Sequence, residues 1–288
     1  MINGKTQLIG VIGWPVSHTF SPAMHNAAAA ALGLNWVYVP LPVRPEEVET
    51  AVRGLAAAGF RGINITVPHK QAIIPLLDVV ETGAQAIGAV NTIVFARRDD
   101  GGVRLVGHNT DWSGFLADLA VLGVAVAGRD CLVLGAGGSA RAVAFGLAQA
   151  GGRVQVLARR VEQAAELVAA VAPHVANGVL VGGELAGLET AVSRTTAPLI
   201  INTTPLGMTP NPDTTPWPDA LPFPNGSFVY DLVYNPRQTR LMQQAEAAGV
   251  GNSNGLGMLV QQGAYAFKLW TGEQPDVAIM RQAISVAP

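Results

Sequence analysis

Short apolar runs separated by helical stretches open the chain. Leu8 to Ile12 is an apolar run of strand length, ended by Gly13, Trp14 and Pro15. Pro22 to Leu32 then predicts a helix, with Ser21 at the N-cap and Pro22 at the first helical position. Trp36 to Pro40 predicts a second strand, and Pro45 to Ala58 a second helix with acids in its first turn. Gly62 to Val67 predicts a third strand, stopped by Pro68. This alternation is the βαβ rhythm of a mostly parallel, two-sided sheet.

The pattern shifts near residue 111. Trp112 to Leu122 is helical, and Asp130 to Leu134 is an apolar strand running into Gly135-Ala136-Gly137-Gly138-Ser139-Ala140-Arg141. A helix to Ala150, a strand from Val154 to Leu157 and a helix from Val161 to Val171 complete a unit of the size expected for a nucleotide-binding βαβ. Pro198 to Asn202 and Phe228 to Leu232 predict later strands of the same sheet, whereas Pro205 to Pro224 holds seven prolines and predicts a loop. Helices follow over Thr239 to Ala248 and Leu256 to Leu269. The expected fold class is α/β, divided as an α/β domain over 1–110, a Rossmann-type domain over 111–245, and C-terminal helices over 246–288 that pack back on the first domain.

Composition narrows the classes. With 288 residues, 49% hydrophobic and 13% charged, the chain can bury two ordinary cores, and wholesale disorder is excluded. The net charge is −2, and no Lys/Arg run is long enough to be the footprint of a nucleic-acid binder. The one cysteine, Cys131, excludes an internal disulfide and reads as a buried structural thiol. The first ten residues lack the basic and apolar regions of a signal peptide, and no charge-free run has the length and hydropathy of a membrane span. A cytoplasmic protein with a small-molecule partner, and neither nucleic acid nor membrane as partner, is the expectation.

Gly135-x-Gly137-x-x-Ala140 follows a strand and opens a helix, the context that gives this pattern meaning. Gly135 permits the tight turn, Gly137 lets backbone approach a pyrophosphate, and Ala140 allows close helix–strand packing. The helix N-terminus offers unpaired N–H groups to the anion. In an NAD site the next strand should end in an acid that holds the ribose hydroxyls. Here it runs into Arg159-Arg160, and Val161 stands where the acid would be sought. Two guanidinium groups suit a 2′-phosphate, so NADP is the expected cofactor.

A second set of polar residues sits where a simple core would not place it. Thr19 and Ser21 flank Phe20 at a helix start. Asn64 and Thr66 alternate along an apolar strand and so would share a face. Lys70 follows, Asn91 lies in Gly88-Ala89-Val90-Asn91-Thr92, and Asp111 ends Asn109-Thr110-Asp111. Hydroxyls and amides with few fixed charges suit a compact polyhydroxylated acid. Each residue also has a plain structural use: Ser21 and Asp111 as helix caps, Asn91 as a turn residue, Lys70 as a solvated cation. His18, His25, His69 and His108 match no metal-ligand spacing, and no metal is expected.

These motifs resemble the shikimate dehydrogenase family over essentially the whole chain. The resemblance rests on His18-Thr19-Phe20-Ser21-Pro22 with His25-Asn26, Asn64 to Lys70, Gly88 to Thr92, Asn109 to Asp111 and Gly135 to Arg141. It continues through Asn202-Thr203-Thr204-Pro205-Leu206-Gly207-Met208, Tyr234-Asn235-Pro236 and Gly257 to Gln262. It implies reversible NADPH-dependent reduction of 3-dehydroshikimate to shikimate, on the way to chorismate and the aromatic amino acids. The active site would lie between a substrate domain and an NADP domain, in a monomer or homodimer. By the same resemblance Lys70 and Asp111 would be the catalytic pair. Thr19 and Ser21 would hold the carboxylate with Tyr234 near it, and Asn64, Thr66, Asn91 and Gln262 would bind ring hydroxyls. The cofactor would meet Gly135, Ala136, Gly137, Gly138, Ser139, Ala140, Arg159, Arg160, Thr203, Met208, Leu232 and Gly255.

Three positions depart from the family pattern. Thr19 stands for a serine, His108 for a small polar residue, and Trp112 for a common glycine after Asp111. Thr19 keeps alive a quinate/shikimate dehydrogenase that accepts NAD as well. The remaining alternative is a non-catalytic sensor of the same small acid, which would be expected to lack Lys70 or Asp111.

Overall fold

The computed structural model describes residues 2–176 and 178–285. The chain divides into two compact units, Met1–Gly114 with Val260–Pro288, and Phe115–Leu259.

The first unit runs β1 (Gln7–Gly13), α1 (Ser21–Ala31), β2 (Trp36–Pro42), α2 (Val48–Ala57), β3 (Gly62–Ile65), β4 (Val79–Val80), α3 (Thr82–Ile87), β5 (Thr92–Arg97) and β6 (Val103–His108). Its sheet has the order β2-β1-β3-β5-β6-β4. β1 pairs parallel with β2 and β3, β6 with β4, while β5 runs antiparallel between β3 and β6. One face packs Ile12, Ile63, Ile65, Ile93 and Phe95 against Val48 and Val52 of α2. The other packs Ile9, Val11 and Tyr38 against Ala266 and Trp270. Covering both faces explains strands that read as unbroken apolar runs.

The division falls inside α4 (Asp111–Val121). The second unit continues with β7 (Asp130–Leu134), α5 (Gly138–Gln149), β8 (Arg153–Ala158), α6 (Val161–Val171), β9 (Val179–Glu184), α7 (Leu188–Ser193), β10 (Leu199–Asn202), β11 (Phe228–Asp231), α8 (Arg240–Ala247) and β12 (Gly251–Asn254). Its sheet is all parallel, in the order β12-β11-β10-β7-β8-β9. That is a doubly wound sheet whose strand order reverses at β7. Cys131 is buried in β7, and burial pushes its thiol up to about 12, as a structural thiol requires. The chain ends with α9 (Leu256–Thr271) and α10 (Val277–Ser285). Among the described residues no helix is long and apolar enough to cross a membrane.

Four readings of the sequence shift. Ser21 does not cap α1: Phe20 holds the cap position, Ser21 is the first helical residue, and the Thr19 hydroxyl accepts the Ser21 N–H at 3.2 Å. Thr66 lies beyond the end of β3, so strand alternation does not relate it to Asn64. The β5–β6 hairpin brings an antiparallel strand into the centre of the first sheet. Residues 246–259 fall in the second unit, because Gly251–Asn254 pairs with β11 and extends the second sheet before α9 begins at Leu256; the division falls between Leu259 and Val260, and between Gly114 and Phe115. The polar sequence of β12 carries no apolar signal, so hydropathy misses it.

Candidate active site

Strand direction gathers the polar residues of the first unit. β1, β3 and β6 point the same way and β5 points back, so the ends of the first three and the start of β5 share one edge of the sheet. Thr19 and Ser21 follow β1, Asn64 lies one residue from the end of β3 with Thr66 and Lys70 beyond it, Asn91 precedes β5, and Asp111 follows β6. Residues far apart in sequence therefore converge. Gly13 is required at the end of β1, because a Cβ there would collide with the Thr66 side chain.

At the centre Lys70 Nζ donates to Asp111 Oδ2 at 2.7 Å, with the two side chains 17% and 8% exposed. Asn91 Nδ2 donates to Asp111 Oδ1 at 2.8 Å, so both carboxylate oxygens are engaged. The backbone is pinned on both sides. Val90 N–H donates to the Lys70 carbonyl at 2.8 Å, and Asn109 Oδ1 accepts the Asp111 N–H at 3.0 Å. Next to Lys70, buried His69 donates from Nε2 to the Val43 carbonyl at 2.8 Å, fastening this turn to the end of β2.

From Asn91 a hydrogen-bonded network runs back across the sheet edge. Thr92 Oγ1 donates to Asn91 Oδ1 at 3.0 Å, Asn64 Nδ2 donates to Thr92 Oγ1 at 3.0 Å, and the Tyr38 hydroxyl donates to Asn64 Oδ1 at 2.8 Å. Gln262 on α9 brings Oε1 to 3.4 Å from Asn91 Nδ2. A partly buried ion pair costs desolvation energy, and these surrounding donors offset it. Tyr38, Thr92 and Thr110 belong to this network and were not singled out from the sequence. Tyr38 lies in an apolar strand, and its hydroxyl gives no pattern. His108 ends β6, where its carbonyl accepts the Asn91 N–H at 3.1 Å; burial lowers its pKa against the opposing pull of Glu81.

The cofactor candidates belong to the second unit, together with Tyr234, whose hydroxyl burial pushes upward. Because that sheet is all parallel, every strand ends on one edge. Gly135 follows β7, Arg159 and Arg160 follow β8, Thr203 follows β10, Leu232 follows β11 and Gly255 follows β12. Met208 lies further along the loop after β10, and its side chain is exposed. Such an edge, at the point where strand order reverses, is where doubly wound sheets take ligands.

The backbone there fits a dinucleotide. Gly135 has φ 115°, and a Cβ on it would stand 2.5 Å from Thr203 Oγ1. Nothing lies within 4 Å of the Cβ positions of Gly137 and Gly138, which leaves the start of α5 open to a phosphate. The cap residue of α5 is Gly137, which has no side chain to cap with, so the first N–H groups of the helix stay available, while Ala140 is buried. Arg159 and Arg160 are exposed and line a hollow with Gln163. Gly255 is required because a Cβ would strike the Leu232 carbonyl.

Known proteins match this architecture. The family model for the shikimate dehydrogenase substrate binding domain matches residues 11–93, and that for the shikimate 5′-dehydrogenase C-terminal domain matches residues 255–284. The chain is 47% identical to the shikimate dehydrogenase (NADP(+)) of Moorella thermoacetica, over 99% of this chain and 95% of that one. The shikimate 5-dehydrogenase of Thermus thermophilus, solved with NADP(H) and shikimate, is 38% identical with a TM-score of 0.84, covering 97% of this chain and 99% of that one. The quinate dehydrogenase of Corynebacterium glutamicum, solved with NAD, is 32% identical with a TM-score of 0.87, covering 98% of this chain and 99% of that one. The chain belongs to the shikimate dehydrogenase family.

Proposed function

We propose that the protein catalyses the reversible NADPH-dependent reduction of 3-dehydroshikimate to shikimate. The observation that carries the reading is the Lys70–Asp111 pair, held at 2.7 Å within a network of amides and hydroxyls. When bound, NADPH supplies the hydride. Hydride transfer to a ketone builds negative charge on its oxygen, and the Lys70 ammonium stabilises that charge and donates the proton. Asp111 holds Lys70 in place and is itself held by Asn91. In the alcohol-oxidising direction the same group takes the proton from the substrate hydroxyl.

Thr19 and Ser21 hold the substrate carboxylate, with Tyr234 beside it, and Asn64, Thr66, Asn91 and Gln262 take the ring hydroxyls. The turn from Gly135 to Ala140 holds the pyrophosphate, and Thr203, Met208, Leu232 and Gly255 complete the cofactor edge. Arg159 and Arg160 grip the 2′-phosphate by charge-assisted hydrogen bonds. An NAD-dependent quinate enzyme finds less support, because β8 is followed by two arginines and no acid. The intact Lys70–Asp111 pair speaks against a non-catalytic sensor. The partners are small molecules, in a monomer or homodimer working in the cytoplasm.

Lys70→Ala tests the assignment. Turnover is expected to fall by about 10³-fold while the KM for shikimate stays within about threefold. Turnover near wild type would remove Lys70 from the chemistry.

A further inference from the structure

His25 and Asn26, in the motif that follows Thr19 and Ser21, have no part in the reading above. Both act on one residue, Tyr38 of β2. β2 is an edge strand, so the backbone groups it turns away from β1 need partners from elsewhere. Asn26 supplies both at Tyr38: its Oδ1 accepts the Tyr38 N–H at 2.8 Å and its Nδ2 donates to the Tyr38 carbonyl at 3.0 Å. His25 lies flat on the Tyr38 ring, with centroids 4.3 Å and planes 3° apart. Neither His25 nitrogen has a hydrogen-bond partner among the described residues, and burial pushes its pKa down to about 3. The imidazole is a neutral plate.

Backbone and ring are thus both fixed, and the Tyr38 hydroxyl has a set direction. It donates to Asn64 Oδ1 at 2.8 Å. Burial raises its pKa, so it stays a phenol able to donate. That donation also decides which way the Asn64 amide faces. With Oδ1 taken by Tyr38, Nδ2 turns to the Asn91 carbonyl and Thr92 Oγ1, at 3.1 and 3.0 Å.

We propose that Tyr38 is a positioning residue that sets the Asn64 amide in one geometry for substrate binding. This rests on Asn64 being a substrate ligand. Tyr38 connects to Lys70 through Asn64, Thr92, Asn91 and Asp111, so binding should feel its loss more than proton transfer does.

The test is Tyr38→Phe, which keeps the ring and its stacking and removes one oxygen. Steady-state kinetics at saturating NADP should show the KM for shikimate raised about tenfold. kcat should stay within about threefold and the KM for NADP should not move. His25→Ala leaves the hydroxyl but frees the ring, and should raise the same KM; if Tyr38→Phe is insoluble, this variant decides. An unchanged KM overturns the proposal. If Asn64→Ala raises KM in that assay, the positioning role alone fails; if it does not, the substrate-site reading fails with it. A lower kcat at unchanged KM also overturns it, since that would place Tyr38 in the chemistry.

Discussion

The two units prepare their ligand edges by opposite means. In the first, side chains hold side chains: Lys70, Asp111, Asn91, Thr92, Asn64 and Tyr38 are joined in one network, most of it buried. In the second, backbone leads. Gly135 makes the turn, the start of α5 stands open, and two exposed arginines wait at the end of β8. A substrate with several hydroxyls needs many fixed directions, which only a network supplies. A pyrophosphate needs N–H groups and a charge, which a helix N-terminus and guanidinium groups supply. The difference teaches where substitutions should spread and where they should stay local.

On the open side the effect of a substitution is expected to stay local. Arg159→Ala should raise the KM for NADP about tenfold and leave that for NAD and for shikimate unmoved, because a charge-assisted contact is lost and no neighbour depends on it. Equal losses with both cofactors would mean that the arginine serves the fold, and the contrast between the units would break.

A smaller effect separates the units by pH. His25 in the first unit is pushed down from 6.5 to about 3 by burial, so on acidification below about 6.5 the unfolded chain takes up a proton that the folded one refuses. Stability of that unit then falls with pH. Asp231 in the second unit is pushed up from 3.8 to about 6 by burial, against hydrogen bonds from Thr239, Val233 and Asn202. Between about 6 and 4 the folded unit takes up the proton first, so its stability rises as pH falls. Hydrogen exchange from pH 6 to 4, corrected for intrinsic rates, should show protection declining around α1 and β2 and growing around β11 and α8. Parallel changes in both would contradict the opposed burial effects.

Much of this was legible in the sequence, for identifiable reasons. Apolar runs ended by glycine or proline marked β1, β3 and β7, and the glycine turn announced the open start of α5. Motif residues such as Asn64, Asn91, Lys70 and Asp111 stood out because polar groups interrupted apolar surroundings. Convergence itself was not legible. It depends on β5 running backwards beside β3, and strand direction leaves no mark in hydropathy. Tyr38 was hidden because a phenol inside an apolar strand looks like core, and β12 because its residues are polar at a sheet edge. Ser21 was read one position out of place, since a serine before a proline looks like a cap whether or not it is one.

The central claim is the reaction, and one experiment meets it directly. The purified chain is given shikimate or quinate, each with NADP or NAD, and the reduced-nicotinamide absorbance is followed. Shikimate with NADP is expected to give the highest kcat/KM. A higher kcat/KM for quinate with NAD, or no reduced cofactor in any pairing, would contradict it.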